Sequence, residues 1–198
     1  MARIEDQDPY EVFSQWYAEA AKSGLKEPTV VALATADTDG QPSLRMVLLK
    51  GHGPDGFVFF TNYESRKGRE LLANPKAALT FYWMPLGRQV RVQGRVEQVS
   101  DAEADAYYSS RHRDSQIGAW ASQQSRPMKT AYDLEKNVAK MAVKYAVGTV
   151  PRPPYWSGFR VVPHRIEFWS EKPFRLHERI EFSRSDDSEA WTTRRLFP

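Results

Sequence analysis

Arg45-Met46-Val47-Leu48-Leu49-Lys50 is an apolar run closed at each end by a cation, and it reads as a strand. Phe60-Thr61-Asn62-Tyr63-Glu64-Ser65-Arg66-Lys67 answers it, leaving a second apolar strand (Phe57 to Phe60) for a short helix with two more cations. Paired antiparallel, the two strands gather Arg45, Lys50, Arg66 and Lys67 on one rim, beside the Thr61 hydroxyl and a helix N-terminus. Such a rim suits an anion, most simply a phosphate. A solvated strand with ordinary basic ends reads the same way, so the rest of the chain decides.

The 198 residues are enough for one domain, residues 1–198, with a substantial core, and 41% hydrophobic with 27% charged content places the chain among soluble globular proteins. Six Trp, nine Tyr and ten Phe supply stacking surfaces. The net charge of +3 comes from cations interleaved with Asp and Glu, which does not favour nucleic acid as a partner. No cysteine is present, excluding thiol catalysis, disulfides and thiolate metal sites. His52, His112, His164 and His177 have no metal-ligand spacing. The N-terminal MARIEDQDPYEVF lacks an apolar signal core, and nothing approaches the ~18 apolar residues of a membrane span. A cytoplasmic protein is expected.

Asp8-Pro9-Tyr10-Glu11 is a helix start behind a short tail, residues 1–7, and Val12, Phe13, Trp16, Tyr17 and Ala20 follow at helical spacing up to Gly24. Strands are expected over Thr29 to Ala36, Ser43 to Lys50, Phe57 to Thr61, Ala77 to Trp83 and Arg88 to Val99, with Gly94 a candidate bulge. Gly51 to Gly56 reads as a loop and Ser65 to Ala73 as a short helix. Ser100 opens another helix, part of Arg111 to Ser125 a further one, and Asp133 to Ala146 the last. Beyond the Pro151-Arg152-Pro153-Pro154 connector come Phe159 to Trp169, Arg179 to Arg184 and Trp191 to Leu196 as closing strands. Hairpin-length loops and irregularly placed helices predict a mainly β, α+β fold: an antiparallel Greek-key barrel or curled sheet with peripheral helices.

Two further stretches carry chemistry. Tyr107, Arg111 and Ser115 recur every four residues, so on one helix they share a face, and two hydroxyls flanking a guanidinium suit a phosphate dianion. An exposed polar helix end paired to Asp114 accounts for the same spacing. Arg175, His177 and Arg179 alternate, so in a strand they share a face that is either solvated or turned to a bound anion.

In series these motifs resemble the pyridoxine (pyridoxamine) 5′-phosphate oxidase family. The matching residues are Arg45 to Lys50, Thr61-Asn62 with Ser65 to Lys67, Arg88 to Val90, Ser110 to Trp120, Gln124-Ser125, Tyr155 to Arg160, Ile166 to Trp169 and Arg175 to Arg179. The resemblance implies an FMN-binding split β-barrel homodimer with FMN at the subunit interface, the strands from about residue 159 to 198 completing dimer and active site. Arg45 and Lys67 would hold the FMN phosphate beside Thr61 and Arg66. The Met46, Val47, Leu48 and Leu49 backbone, on to Lys50, would run along the flavin, which Gln89 would hydrogen-bond. Phe60, Gln124, Ser125, Trp169 and Arg179 would complete that site. Lys50, Tyr107, Arg111 and Ser115 would bind the substrate phosphate, with Arg175 and His177 over the pyridine ring as the catalytic pair. No metal is implied.

The implied reaction oxidises the C4′ alcohol or amine of pyridoxine or pyridoxamine 5′-phosphate to pyridoxal 5′-phosphate, with O2 as acceptor, H2O2 as product, and ammonia released from the amine. A related FMN oxidase of a phenazine-type precursor, and a non-catalytic flavin- or pyridoxal-phosphate-binding protein, are the rival expectations. Many members of the family carry a longer basic, Tyr-containing arm ahead of the first helix, and residues 1–7 do not match it.

Overall fold

A computed structural model describes residues 3–198; Met1 and Ala2, within the expected tail, lie outside the described residues. Nine strands form one sheet: β1 (Val30–Ala36), β2 (Pro42–Leu48), β3 (Gly51–Gly53), β4 (Gly56–Asn62), β5 (Lys76–Trp83), β6 (Arg88–Gln98), β7 (Trp156–Ser170), β8 (Glu178–Ser183) and β9 (Thr192–Arg195). Five helices accompany it: α1 (Pro9–Lys22), α2 (Arg66–Ala73), α3 (Asp101–Ser110), α4 (Arg113–Ala121) and α5 (Asp133–Lys144). The strands run β2-β1-β5-β6-β7-β4-β3, with β8 on β7 and β9 on β8. All these pairings are antiparallel. β4 lies beside β7 rather than β5, which makes β4 to β7 a Greek key.

The opening stretch explains why this sheet curls. β2 and β3 stand at the two ends of the strand order, yet only Leu49 and Lys50 separate them in sequence. Three Cα steps reach at most about 11 Å, so the sheet must bring its ends together. Leu49 and Lys50 bridge the gap: the Leu49 amide donates to Thr29 O at 2.9 Å and the Lys50 amide to Val58 O at 2.8 Å. Thus β2 ends at Leu48, not at the expected Lys50, and part of the expected Gly51–Gly56 loop is the short strand β3. Nor do β2 and β4 pair with each other; β2 pairs with β1, while β4 pairs with β3 and β7.

Burial follows the period of each element. Phe13 of α1 is fully buried, its ring 4.8 Å from Phe57 and 5.0 Å from Phe81, while Trp16 meets Phe168 edge-on at 5.2 Å. Truncating such a ring costs about 3–5 kcal/mol. The Asp8 carboxylate caps α1, accepting from the amides of Tyr10 at 2.8 Å and Glu11 at 3.2 Å. At Gly94 the β6–β7 register shifts, and an added Cβ would lie 2.1 Å from Val162 O, so no larger residue fits this bulge. β7 begins at Trp156, three residues before the expected Phe159. Among the described residues, no helix is long and apolar enough to cross a membrane, and no cluster of His, Asp and Glu could hold a metal.

Candidate active site

The largest coherent group of expected site residues lines one cleft of about 490 Å³. Met46, Val47, Leu48 and Lys50 form one wall, and Phe60, Thr61 and Lys67 come from β4 and α2. Tyr107, Arg111, Ser115 and Gln124 come from α3, α4 and their flanks. The volume suits a small-molecule site. Asn62, Gly118, Ala119, Ser122 and Trp156 also line it without having been singled out from sequence.

Lys67 is a buried cation, 9% exposed, surrounded by neutral oxygens. Its Nζ donates to Thr61 Oγ1 at 3.2 Å, Ser65 Oγ at 3.3 Å and Gln124 Oε1 at 3.2 Å. Burial and then the nearby Arg45 charge push its pKa down to about 8, against the opposing pull of Glu70. A lysine in this state gains most from an anion.

Arg45 faces a different set of groups and does not line the cleft. It donates to Leu33 O at 3.3 Å, Thr35 Oγ1 at 2.5 Å, Ser43 Oγ, and Glu70 Oε2 at 3.3 Å. Glu70 also accepts from Arg66 Nε at 2.8 Å, Ser43 Oγ at 2.6 Å and Thr35 Oγ1. Burial alone would raise this carboxyl, but those hydrogen bonds and the Arg45 charge bring it down to about 2. Glu70 therefore ties the middle of β2 to the first turns of α2, holding Arg45 and Arg66 beside Lys67. Leu49 points into the core, 4% exposed.

Arg111 is the second cation of the cleft, half-buried. Two helices form, as expected, so Tyr107, Arg111 and Ser115 do not share one helix face: α3 ends at Ser110, Arg111 has extended backbone (φ −74°, ψ 149°), and α4 starts after His112. The break is held by Tyr108 Oη donating to Gln116 O at 2.9 Å and by Gln116 Nε2 donating to Tyr108 O at 2.9 Å. Tyr107, Arg111 and Ser115 still meet at the cleft, brought there by the turn rather than by helical period. Burial lowers the Arg111 pKa. Its Nη1 is buried without a hydrogen-bond partner. Such an orphan is costly and marks the place for an acceptor.

The remaining expected residues assemble elsewhere. Gln89, Trp169 and Arg179 are direct neighbours across β6, β7 and β8. The His177 ring lies 4.7 Å from that of Trp169. The Lys172 amide donates to His177 Nδ1 at 3.3 Å, which puts the proton of the neutral ring on Nε2. Arg179 forks onto buried Glu167 at 2.8 and 3.1 Å. Arg175 and His177 do not sit in a strand: Phe174 and Arg175 have φ of 59° and 60°, and only Arg179 of the three lies in β8. Between Trp156 at the cleft and Trp169 beside His177 run thirteen residues of β7, roughly 40 Å of strand. Ser125, with φ of 69°, lies past α4 and lines a neighbouring pocket rather than the cleft.

Comparison with known proteins agrees with this layout. Residues 17–147 match the family described as pyridoxamine 5′-phosphate oxidase, and residues 156–198 the pyridoxine 5′-phosphate oxidase C-terminal dimerisation region. The chain is 59% identical over 203 residues to a pyridoxine/pyridoxamine 5′-phosphate oxidase of Rhodospirillum rubrum, covering all of both. It is 58% identical over 191 residues to the enzyme of the same name from Brucella canis, covering 96% of this chain and 94% of the other. Among solved structures it is similar to PhzG from Burkholderia lata in complex with tetrahydrophenazine-1-carboxylic acid. There the TM-score is 0.91 with 31% identity, over 100% of this chain and 98% of the other. A pyridoxamine 5′-phosphate oxidase-related, FMN-binding protein of Nostoc punctiforme shares the fold at a TM-score of 0.76 and 16% identity, over 97% and 99% of the chains. A mainly antiparallel split-barrel fold and full-length relatives therefore converge: the chain is an oxidoreductase of the pyridoxamine 5′-phosphate oxidase family.

Proposed function

We propose that the protein oxidises pyridoxine 5′-phosphate and pyridoxamine 5′-phosphate to pyridoxal 5′-phosphate, using FMN and passing electrons to O2 with release of H2O2. The observation that carries this reading is the pair of cations on one cleft, buried Lys67 and half-buried Arg111, without a carboxylate bonded to either among the described residues. A reaction between a phosphorylated cofactor and a phosphorylated substrate calls for two anion sites.

The donors fit FMN on one side. Lys67, Thr61 and Gln124 would hold its phosphate, backed by Arg66 and Arg45 on Glu70. Met46 and Leu48, 60% and 40% exposed on the cleft, offer apolar surface to a flavin ring. Bound FMN supplies the two-electron acceptor. The substrate phosphate falls to Lys50, Tyr107, Arg111 and Ser115. With both ligands fixed by their phosphates, the chain's task is to hold the reacting carbon in a near-attack pose.

Arg175 and His177 do not line the cleft of their own chain, and His177 lines a separate pocket. We therefore place them in a homodimer, where the turn of one copy closes the cleft of the other and brings in Gln89, Trp169 and Arg179. The exposed apolar row Leu44, Met46 and Leu48, with the match to a dimerisation region, supports that arrangement. His177, protonated at Nε2, and Arg175 would orient the substrate's C4′ substituent.

Aerobic turnover of both phosphates by the purified yellow protein, followed as aldehyde and H2O2, is the test. Aldehyde from neither substrate, with FMN bound, would move the assignment to an unphosphorylated aromatic such as the phenazine-type substrate suggested by the PhzG likeness. The carboxylate of that compound would also offer an acceptor to the buried Arg111 nitrogen, so turnover, and not Arg111, separates the two readings.

A further inference from the structure

Arg111 differs from the other arginines near it in what holds it. Arg152 is paired with Asp101 and Asp105, and Arg160 with Glu97 and Glu103. Arg111 makes no ion pair among the described residues, and its guanidinium instead rests on aromatic faces. The guanidinium carbon is 4.6 Å from the ring centre of Trp156 and 5.7 Å from that of Tyr108. A carboxylate would fix the side chain by cancelling its charge. An indole face fixes it and leaves the charge and the in-plane N–H donors free.

Trp156 is itself held from several sides. It is 6% exposed, stacked on Phe60 at 5.5 Å and 9° and meeting Tyr108 edge-on at 5.1 Å. Phe60 stacks in turn on Tyr107 at 4.1 Å. Gly158 leaves room for this stack, since a Cβ there would come within 2.8 Å of the Phe60 ring. The indole is thus a fixed plate under a cation whose one buried nitrogen points to no protein acceptor.

We propose that Trp156 is a positioning residue for the substrate's phosphate group: its indole face holds the uncompensated Arg111 guanidinium at the cleft and so sets the preference for phosphorylated over unphosphorylated pyridine alcohols. The inference rests on the functional reading above and adds the residue that makes Arg111 available.

The test compares FMN-loaded wild type, Trp156→Phe and Trp156→Leu. Three quantities are read: KM and kcat for pyridoxine 5′-phosphate, the selectivity for it over unphosphorylated pyridoxine, and the equilibrium binding of inorganic phosphate. Losing a partly desolvated cation–π contact corresponds to about tenfold. Trp156→Leu should raise KM for pyridoxine 5′-phosphate by about that factor, with the loss falling on KM more than kcat. Selectivity and inorganic phosphate affinity should drop in parallel, and Trp156→Phe, with a weaker ring, should lie between. Equal losses for phosphorylated and unphosphorylated alcohols would reduce Trp156 to a wall of the cleft and overturn the proposal. So would phosphate affinity unchanged in both variants. If wild type oxidises neither B6 phosphate, the functional reading falls first, and the phosphate-binding series still decides the link between Trp156 and Arg111. Should Trp156→Leu fail to fold, the Phe variant carries the same comparison.

Discussion

Lys67, buried, and Arg111, half-buried, are cations on one cleft, and the protein keeps them there by opposite means. Lys67 is held by hydrogen bonds to three neutral oxygens, beside a carboxylate that is already bound to two arginines. Arg111 is held by ring faces, with one nitrogen unsatisfied. The ammonium is a compact charge that gives up its proton when desolvation makes the charge costly, and its pKa has come down to about 8. A guanidinium stays charged throughout the range in which proteins are folded. One anion site is therefore adjustable by pH and by its ligand, and the other is permanently armed. The comparison also separates cause from appearance: a basic residue in a cleft is informative when no carboxylate answers it.

The strongest blow to the Lys67 side comes through Glu70. Glu70→Ala leaves Arg45 buried against Thr35 and Ser43 without its counter-charge, and breaking such a pair costs about 3 kcal/mol or more. Thermal unfolding of the apo-protein should show that loss, and saturating FMN should recover part of it because a phosphate restores an anion near Arg45. An equal loss with and without FMN would detach Glu70 from the anion site. The Glu70 carboxyl titrates lower in the folded protein than in the unfolded chain. Its stabilisation is present above the ordinary carboxylate range and is lost as pH falls towards about 2.

Lys67→Met comes next. A hydrogen bond to a charged group contributes about 1.5–3 kcal/mol, so FMN affinity of the apo-protein should fall by roughly a hundredfold. Binding of pyridoxal 5′-phosphate to FMN-loaded protein should change far less. Fluorescence titration measures both, and matching losses would mean that the two cations serve one anion.

Titration by pH reads the same contrast without mutation. Binding of FMN phosphate raises the Lys67 pKa, so the free protein takes up a proton on binding above about pH 8. Affinity is full below that pH and falls by up to about tenfold per pH unit above it. The phosphate's own second ionisation is complete by then, near pH 6, and does not confuse the slope. In the apo-protein the sign is reversed: the depressed Lys67 pKa means that stability rises between about 8 and the unfolded value of 10.5. FMN affinity flat from pH 7 to 10 would remove Lys67 from the phosphate site.

What could be read from sequence divides along the same line between local and distant causes. Burial alternates along β1, β2, β5 and most of β6, and the caps Asp8, Ser65 and Ser100 each stand at a helix start, because a cap and a period are local properties. The break at Arg111 falls where one helix is expected to end and another to begin, but its seal by Tyr108 and Gln116, eight residues apart, has no local signal. The Phe174–Arg175 turn is also unannounced, since neither residue favours positive φ. Glu70 looked like one more helix carboxylate until β1, β2 and α2 met around it. Trp156 stood inside a family motif, but its task depends on Arg111, 45 positions earlier. The polar and cationic residues that line the cleft were legible from their chemistry, and those that hold them were not, because holding is done by parts of the chain far away in sequence.

The smallest predicted effect gives the finest version of the contrast. Thr61→Val keeps the shape of β4 but removes one of the three oxygens that accept from Lys67 Nζ. A single neutral acceptor contributes about 1 kcal/mol, so the pH midpoint for FMN binding should move below 8 by less than about one unit. The matched change on the other side is Tyr108→Phe, which keeps the ring under Arg111 and loses only the hydroxyl that donates to Gln116 O. Because Arg111 owes its position to ring faces and its charge to the guanidinium itself, that variant should give no pH midpoint for pyridoxal 5′-phosphate binding between about pH 7 and 10, above the phosphate's own ionisation near pH 6. A midpoint appearing there would mean that Arg111, like Lys67, depends on its polar neighbours for its charge, and the two sites would then differ in degree only.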